Sequence, residues 1–105
     1  MFKDKNSLKN YLKKNPYILA PMVDHSDLPF RMLTRKYNAG LCFTPMVNSK
    51  LVVNDKSYRE RMFKTCEADR PLVLQVCGND PELVVQAANF YADKIDIVDL
   101  NLGCP

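Results

Sequence analysis

Four short apolar runs recur along the chain, each followed by a break: Tyr17-Ile18-Leu19-Ala20, Leu41-Cys42-Phe43-Thr44, Leu72-Val73-Leu74-Gln75-Val76 and Ile95-Asp96-Ile97-Val98-Asp99-Leu100. None alternates cleanly between apolar and polar, which predicts β-strands covered on both faces. Between the runs, apolar residues recur at helical spacing. Ser26-Asp27 can cap a helix with Pro29 in its first turn, and Phe30, Leu33 and Tyr37 fall on one face of it. Asn38-Ala39-Gly40 ends that helix, with Gly40 suited to a left-handed C-cap. Residues 47–66 predict two short helices, near 48–53 and 57–63, with a turn at Asn54-Asp55, and residues 67–71 form a charged loop. Asp80-Pro81-Glu82 opens another helix, with an N-cap carboxylate, proline at the first position and an acid at the positive end of the dipole. Leu83, Val84, Ala87, Ala88 and Tyr91 form its apolar face. Before the first strand, residues 5–14 carry one stripe of Leu8, Tyr11 and Leu12 among Lys and Asn, ended by Asn15-Pro16.

Strands that alternate with helices imply a parallel α/β sheet with right-handed crossovers. Two architectures fit: an open doubly wound sheet, or the first half of a (β/α)₈ barrel. The chain divides into a basic helical extension, 1–16, and an α/β unit, 17–105. Its 105 residues, 47% apolar and 26% charged, are ordinary for a globular protein. No run is long enough to span a membrane, and Met1 to Lys14 lacks the apolar centre of a secretory signal, so the expected location is the cytoplasm. The net charge of +3 is too weak to argue nucleic-acid binding by itself. It is uneven: residues 1–14 hold five Lys and one Asp, leaving the remainder at −1. A solvated helix face accounts for those lysines more simply than contact with phosphates. The four cysteines have no zinc spacing, and Cys42 and Cys77 read as small buried hydrophobes. Cys66 lies in a polar loop, and His25 reads as a loop residue.

Candidate chemistry gathers where the strands end. Pro21-Met22 breaks the first strand, Gln75 sits near the end of the third, and Asn101 and Cys104 lie beyond the fourth. In a parallel α/β fold these positions share one rim, the side on which such folds bind ligands. Each also has a plain structural reading. Pro21 stops a strand, Met22 fills a gap, Gln75 pairs with loop backbone, and Asn101 caps a turn. Gly103 permits a sharp turn before the thiol, and Pro105 forbids continuation of the strand. There is no Gly-x-Gly-x-x-Gly and no phosphate loop, which disfavours a dinucleotide-binding Rossmann domain.

The segments Ala20-Pro21-Met22-Val23-Asp24, Asp27-Leu28-Pro29-Phe30-Arg31, Thr44-Pro45-Met46, Leu74-Gln75-Val76-Cys77-Gly78 and Asp99-Leu100-Asn101-Leu102-Gly103-Cys104-Pro105 resemble the successive motifs of tRNA-dihydrouridine synthases. The resemblance runs from about Tyr17 to Pro105, and Asn-x-Gly-Cys-Pro is its most specific piece. Thr-Pro-Met looks like the eukaryotic subgroup that reduces uridines 16 and 17 of the D-loop; many bacterial members carry Glu where this chain has Pro45. The resemblance implies a (β/α)₈ TIM barrel, FMN as cofactor, NADPH as reductant and tRNA as substrate, with no membrane or metal partner. It places the backbone of Pro21, Met22 and Val23 against the isoalloxazine and Gln75 on its polar edge. It assigns the hydride to C6 of an extruded uracil, Cys104 as donor of the proton to C5, and Asn101 to holding the base or the flavin edge.

A full barrel of this type takes about 250 residues. Four strands are present, so the sequence is expected to be a fragment, the N-terminal half of the barrel truncated after strand four. Alone, it is expected neither to hold FMN tightly nor to turn over tRNA. Two alternatives stand beside the enzyme: a non-catalytic remnant that binds a partner chain or RNA, and another barrel flavoenzyme of the dihydroorotate-dehydrogenase type.

Overall fold

The computed structural model describes residues 2–104. In chain order the elements are α1 (Lys5–Lys14), β1 (Ile18–Leu19), α2 (Leu28–Lys36), β2 (Leu41–Phe43), β3 (Val47–Asn48), α3 (Ser49–Asn54), α4 (Lys56–Met62), β4 (Leu72–Cys77), α5 (Pro81–Asn89) and β5 (Ile97–Leu100). Short polar side chains start the helices. Asp4, Asp27, Asn48, Asp55 and Asp80 each accept a backbone N–H of the first turn. Pro105, assigned above to stopping the strand, lies outside the described residues.

All strand pairs are parallel. β1 pairs β2, β2 pairs the start of β4 (Cys42 with Leu72), β3 pairs its end (Val47 with Val76), and β5 pairs its other edge (Val76 with Leu100). Val73 and Val76 each have β5 on one side, so β2 and β3 share the other edge. They are one strand path interrupted by Thr44-Pro45-Met46, where the sequence reading ended the strand. The order is therefore sequential, with no reversal. A doubly wound sheet needs a reversal and a barrel does not.

Helices α3, α4 and α5 share one face of the sheet. Leu72, Leu74 and Val76 point toward it and join Val47, Val52 of α3, Phe63, Ala87 of α5, Tyr91 and Ile95 in one buried cluster. The Phe63 and Tyr91 rings stack within it at 4.1 Å. β4 is covered on both faces along most of its length, and in β2 the neighbouring Leu41 and Cys42, which point to opposite faces, are both buried. In β5, Val98 and Leu100 lie on the helix-bearing side beyond α5 and are exposed. No described helix is long and apolar enough to cross a membrane.

The orientation of α2 is set by charge, and one expectation about its end is corrected. Its apolar stripe, Phe30, Leu33 and Tyr37, faces outward, at 38%, 51% and 79% exposure, and the buried side chain is Arg31. The reason is Asp69, a carboxylate with no exposed surface in the loop before β4. Its Oδ2 accepts from Arg31 Nε at 3.0 Å, Arg31 Nη2 at 2.8 Å and Thr65 Oγ1 at 3.0 Å. Its Oδ1 accepts from Arg35 Nε at 3.0 Å and Nη2 at 2.9 Å. The remaining guanidinium donors end on the carbonyls of Ser26, Lys64, Arg70 and Pro71. A buried charge needs such partners, and these outrank the apolar stripe in orienting the helix. The correction is the C-cap. The left-handed residue is Asn38 (φ 74°), not Gly40. Gly40 is needed for space, because a Cβ there would lie 2.5 Å from Asn15 Cβ.

A second buried carboxylate, Asp96, joins β5 to β4. It accepts from Arg70 Nη2 at 2.8 Å and from the Leu72 N–H at 2.8 Å. Burial pushes this carboxyl up, but Arg70 and the Leu72 N–H outweigh burial and hold it below its ordinary 3.8. A depressed folded value contributes stability that is present above the unfolded value and lost as pH falls through the folded one. Asp96→Asn therefore gives a shallower loss of stability below about pH 4, read by urea unfolding at stepped pH. Asp69→Ala leaves the buried Arg31 and the partly buried Arg35 short of their carboxylate and costs about 3–5 kcal/mol in the same measurement.

Candidate active-site rim

Three strand ends meet the predicted residues on one side of the sheet. After β1, the chain turns tightly through Pro21-Met22-Val23. Ser26, fully buried, accepts the Met22 N–H on its hydroxyl at 2.9 Å, and the Met22 carbonyl accepts the N–H groups of His25 and Ser26 at 3.1 and 2.9 Å. Asp24 takes φ 65° to close the turn. Val23 is left 49% exposed and His25 lies at the surface, as a loop residue.

Gln75 sits in β4 on the face away from the helices, because β4 alternates and Leu74 and Val76 occupy the helix side. Its N–H donates to Thr44 Oγ1 at 3.2 Å, and that hydroxyl donates to the Pro45 carbonyl at 2.9 Å. The interruption between β2 and β3 thus supplies the acceptor that β4 lacks there. The Gln75 side chain has two partners. Nε2 donates to Asp99 Oδ2 at 2.7 Å, and Oε1 accepts from Asn101 Nδ2 at 3.4 Å.

Asn101 follows β5 and holds the thiol-bearing turn. Its N–H donates to the Val76 carbonyl at 2.9 Å, and its Oδ1 accepts the N–H groups of both Gly103 and Cys104 at 2.9 Å. Cys104 is exposed as a free thiol. Cys77, one residue past the Val76–Leu100 pair, lies beside Asn101. Partial burial, and then the neighbouring Cys104 sulfur, push the Cys77 thiol up. Cys42 is fully buried, and burial raises its thiol too.

Gln75, Asn101 and Cys104 therefore form one hydrogen-bonded cluster, whereas Pro21, Met22 and Val23 share the rim without a direct bond to it among the described residues. β1 stands two strands from β4, about 10 Å at ordinary strand spacing. The sequence reading missed Asp99. Its signal was present, since an acid and a glutamine on the same face of adjacent parallel strands come together once the register pairs them. No group of three or more His, Cys, Asp or Glu is placed to hold a metal among the described residues.

The four thiols differ in access. Iodoacetamide at pH 8 is expected to label Cys66 and Cys104 before Cys77, and Cys42 only on unfolding, read by peptide mass spectrometry.

The family model described as Dihydrouridine synthase (Dus) matches residues 18–105. The tRNA-dihydrouridine(16/17) synthase [NAD(P)(+)] of Schizosaccharomyces pombe is 47% identical over 91% of this chain and 25% of its own length. The protein of the same name from Saccharomyces cerevisiae is 52% identical over 84% of this chain and 22% of its own length. The human tRNA-dihydrouridine(20a/20b) synthase [NAD(P)+]-like protein is 40% identical over 84% of this chain and 28% of its own. The chain thus spans about a quarter of the length of these curated relatives.

Proposed function

Since the chain belongs to the dihydrouridine synthase family, we propose that it supplies the first strands of a catalytic unit that reduces uridine to 5,6-dihydrouridine in the tRNA D-loop, at positions 16 and 17. The relatives named for 16/17 share 47–52% identity with it, against 40% for the relatives named for 20a/20b. The observation that carries the reading is the exposed Cys104 thiol, fixed past a strand end by two bonds to one Asn101 oxygen and facing the same rim as Gln75 and the Pro21–Val23 turn.

The residues fit FMN. The Pro21–Val23 turn offers little backbone donor capacity, because proline has none and the Met22 N–H is taken by Ser26. That suits contact with a flat ring. Gln75 spends one Nε2 proton on Asp99 and keeps the second for a polar edge. Bound FMN, reduced by NAD(P)H, would supply the hydride for C6. Cys104 donates the proton to C5 from the opposite face, since saturating the C5=C6 bond needs an acid where the carbanion develops. The base must leave its stack to come within reach of a thiol on a loop at the rim. The second Nδ2 proton of Asn101 remains for the base or the flavin edge.

Cys104→Ala in the full-length protein is expected to retain FMN and lose about 10²–10⁴-fold in dihydrouridine formation, the usual worth of a positioned general acid. The checks are flavin absorbance of the purified protein and dihydrouridine content of the tRNA. Wild-type turnover in this variant would remove the proton-donor role.

A further inference from the structure

We propose that Asp99 is a positioning residue that sets, through Gln75 and Asn101, the orientation of the turn presenting Cys104. The argument begins with valence. An ionised carboxylate accepts hydrogen bonds and donates none, whereas a primary amide can present either end. Asp99 Oδ2 lies 2.7 Å from the Gln75 amide, so the end of that amide facing it must be the nitrogen. Gln75 Oε1 then points away, toward Asn101, and can only accept. Asn101 must answer with its own nitrogen, at 3.4 Å. That choice turns Asn101 Oδ1 toward the chain beyond β5, where it receives the N–H groups of Gly103 and Cys104 at 2.9 Å each.

One acceptor-only group therefore fixes two ambiguous amides in series and delivers an oxygen where the turn needs one. Reversing the Gln75 amide would set its nitrogen against Asn101, which would then offer its own oxygen to Gln75 and its nitrogen to the turn. Two donors would meet two donors, and the thiol loop would open. The relay is short because the strand register pairs Gln75 directly with Asp99, leaving no slack between the first two members. Asn101 is additionally held by its own N–H on the Val76 carbonyl. Its side chain thus has only to choose between its two ends.

The functional meaning of this assignment rests on the proposed role of Cys104, but its test does not. Asp99→Asn keeps the shape and removes the constraint, because an amide at 99 can present either its oxygen or its nitrogen to Gln75. In the full-length protein it is expected to speed hydrogen exchange at the Gly103 and Cys104 amides by about tenfold, as two bonds to one oxygen weaken. Alkylation of Cys104 by iodoacetamide should rise with it, while circular dichroism and the protection of β4 stay as in wild type. The second variant, Asp99→Asn with Gln75→Glu, moves the acceptor-only group one place along. The carboxylate at 75 can accept from both asparagine amides, so Asn101 Oδ1 faces the turn again. Exchange and alkylation are expected to return to within about twofold of wild type. A merely structural role for Asp99 would not be repaired by a further loss of wild-type sequence. Unchanged exchange in Asp99→Asn, or a double variant no better protected than the single one, overturns the proposal. Where Asp99→Asn fails to fold, the double variant decides alone, with wild-type protection supporting the relay and its loss overturning it. Exchange is read without tRNA, reductant or turnover, so an inactive enzyme with an intact relay counts against the function and not against Asp99.

Discussion

A carboxylate without exposed surface can stay charged only if donors replace the water it has lost, and Asp69 meets that condition with both guanidinium groups of α2 and the Thr65 hydroxyl. The consequence reaches well past the ion pairs. The loop that carries Asp69 runs directly into β4, and Arg35 also holds the carbonyl of Pro71, the residue before Leu72. α2 is therefore bonded to the point at which β4 enters the sheet, and Leu72 is fixed beside Cys42. Side chains on a strand alternate, so a slip of one residue there would turn Gln75 toward the helices and Leu74 toward the rim. An interaction at the N-terminal end of the sheet thus decides which side chains appear at the other end.

The two faces of β4 divide the work. Leu72, Leu74 and Val76 bury against α3, α5 and the Phe63–Tyr91 stack, and this face is apolar throughout. The opposite face carries Gln75 alongside Asp99, and every buried side-chain polar atom among the described residues has a partner. A satisfied polar cluster in a partly dry site is rigid, because any rotation leaves a donor or acceptor stranded. Rigidity suits the role proposed for Cys104, in which a group would meet an extruded base at one angle. The thiol itself stays outside the cluster, exposed, and only its backbone is held.

Much of this was legible in the sequence and some was not. The strands at 41 and 72, the helix starts at Asp27 and Asp80, and the pair of short helices around Asn54-Asp55 followed from local rules of capping, proline placement and apolar runs. The resumption of the strand at Val47–Asn48 did not, because two residues carry no periodicity and their pairing depends on β4, far along the chain. The orientation of α2 was not legible for a similar reason. An apolar stripe is a local signal, whereas Asp69 lies more than thirty residues from Arg31 and Arg35, and only tertiary packing brings them together. At the rim, the motifs around Pro21, Gln75, Asn101 and Cys104 located the positions, but partnership among them needed the register. Asp99 read as one polar interruption in a strand and became a member of the cluster only when paired with Gln75.

The same register places the basic extension. Tyr11 of α1 donates its hydroxyl to the Gly40 carbonyl at 2.7 Å, immediately before β2 begins, so α1 sits at the end where the strands start. Cys104 lies past the end where they finish, and the six residues of β4 alone span about 20 Å between the two. Charges that far apart across a protein are screened from one another at physiological salt. The lysines of α1 therefore do not shape the electrostatics of the thiol, and under the proposed function any phosphate they met would belong to a part of the tRNA distant from the base at the rim. The sequence holds the positive charge and the proposed site residues in one short chain. The parallel sheet puts them at opposite ends, so that recognition of a backbone by α1 and reduction of a base at the rim would be separable functions of one fold.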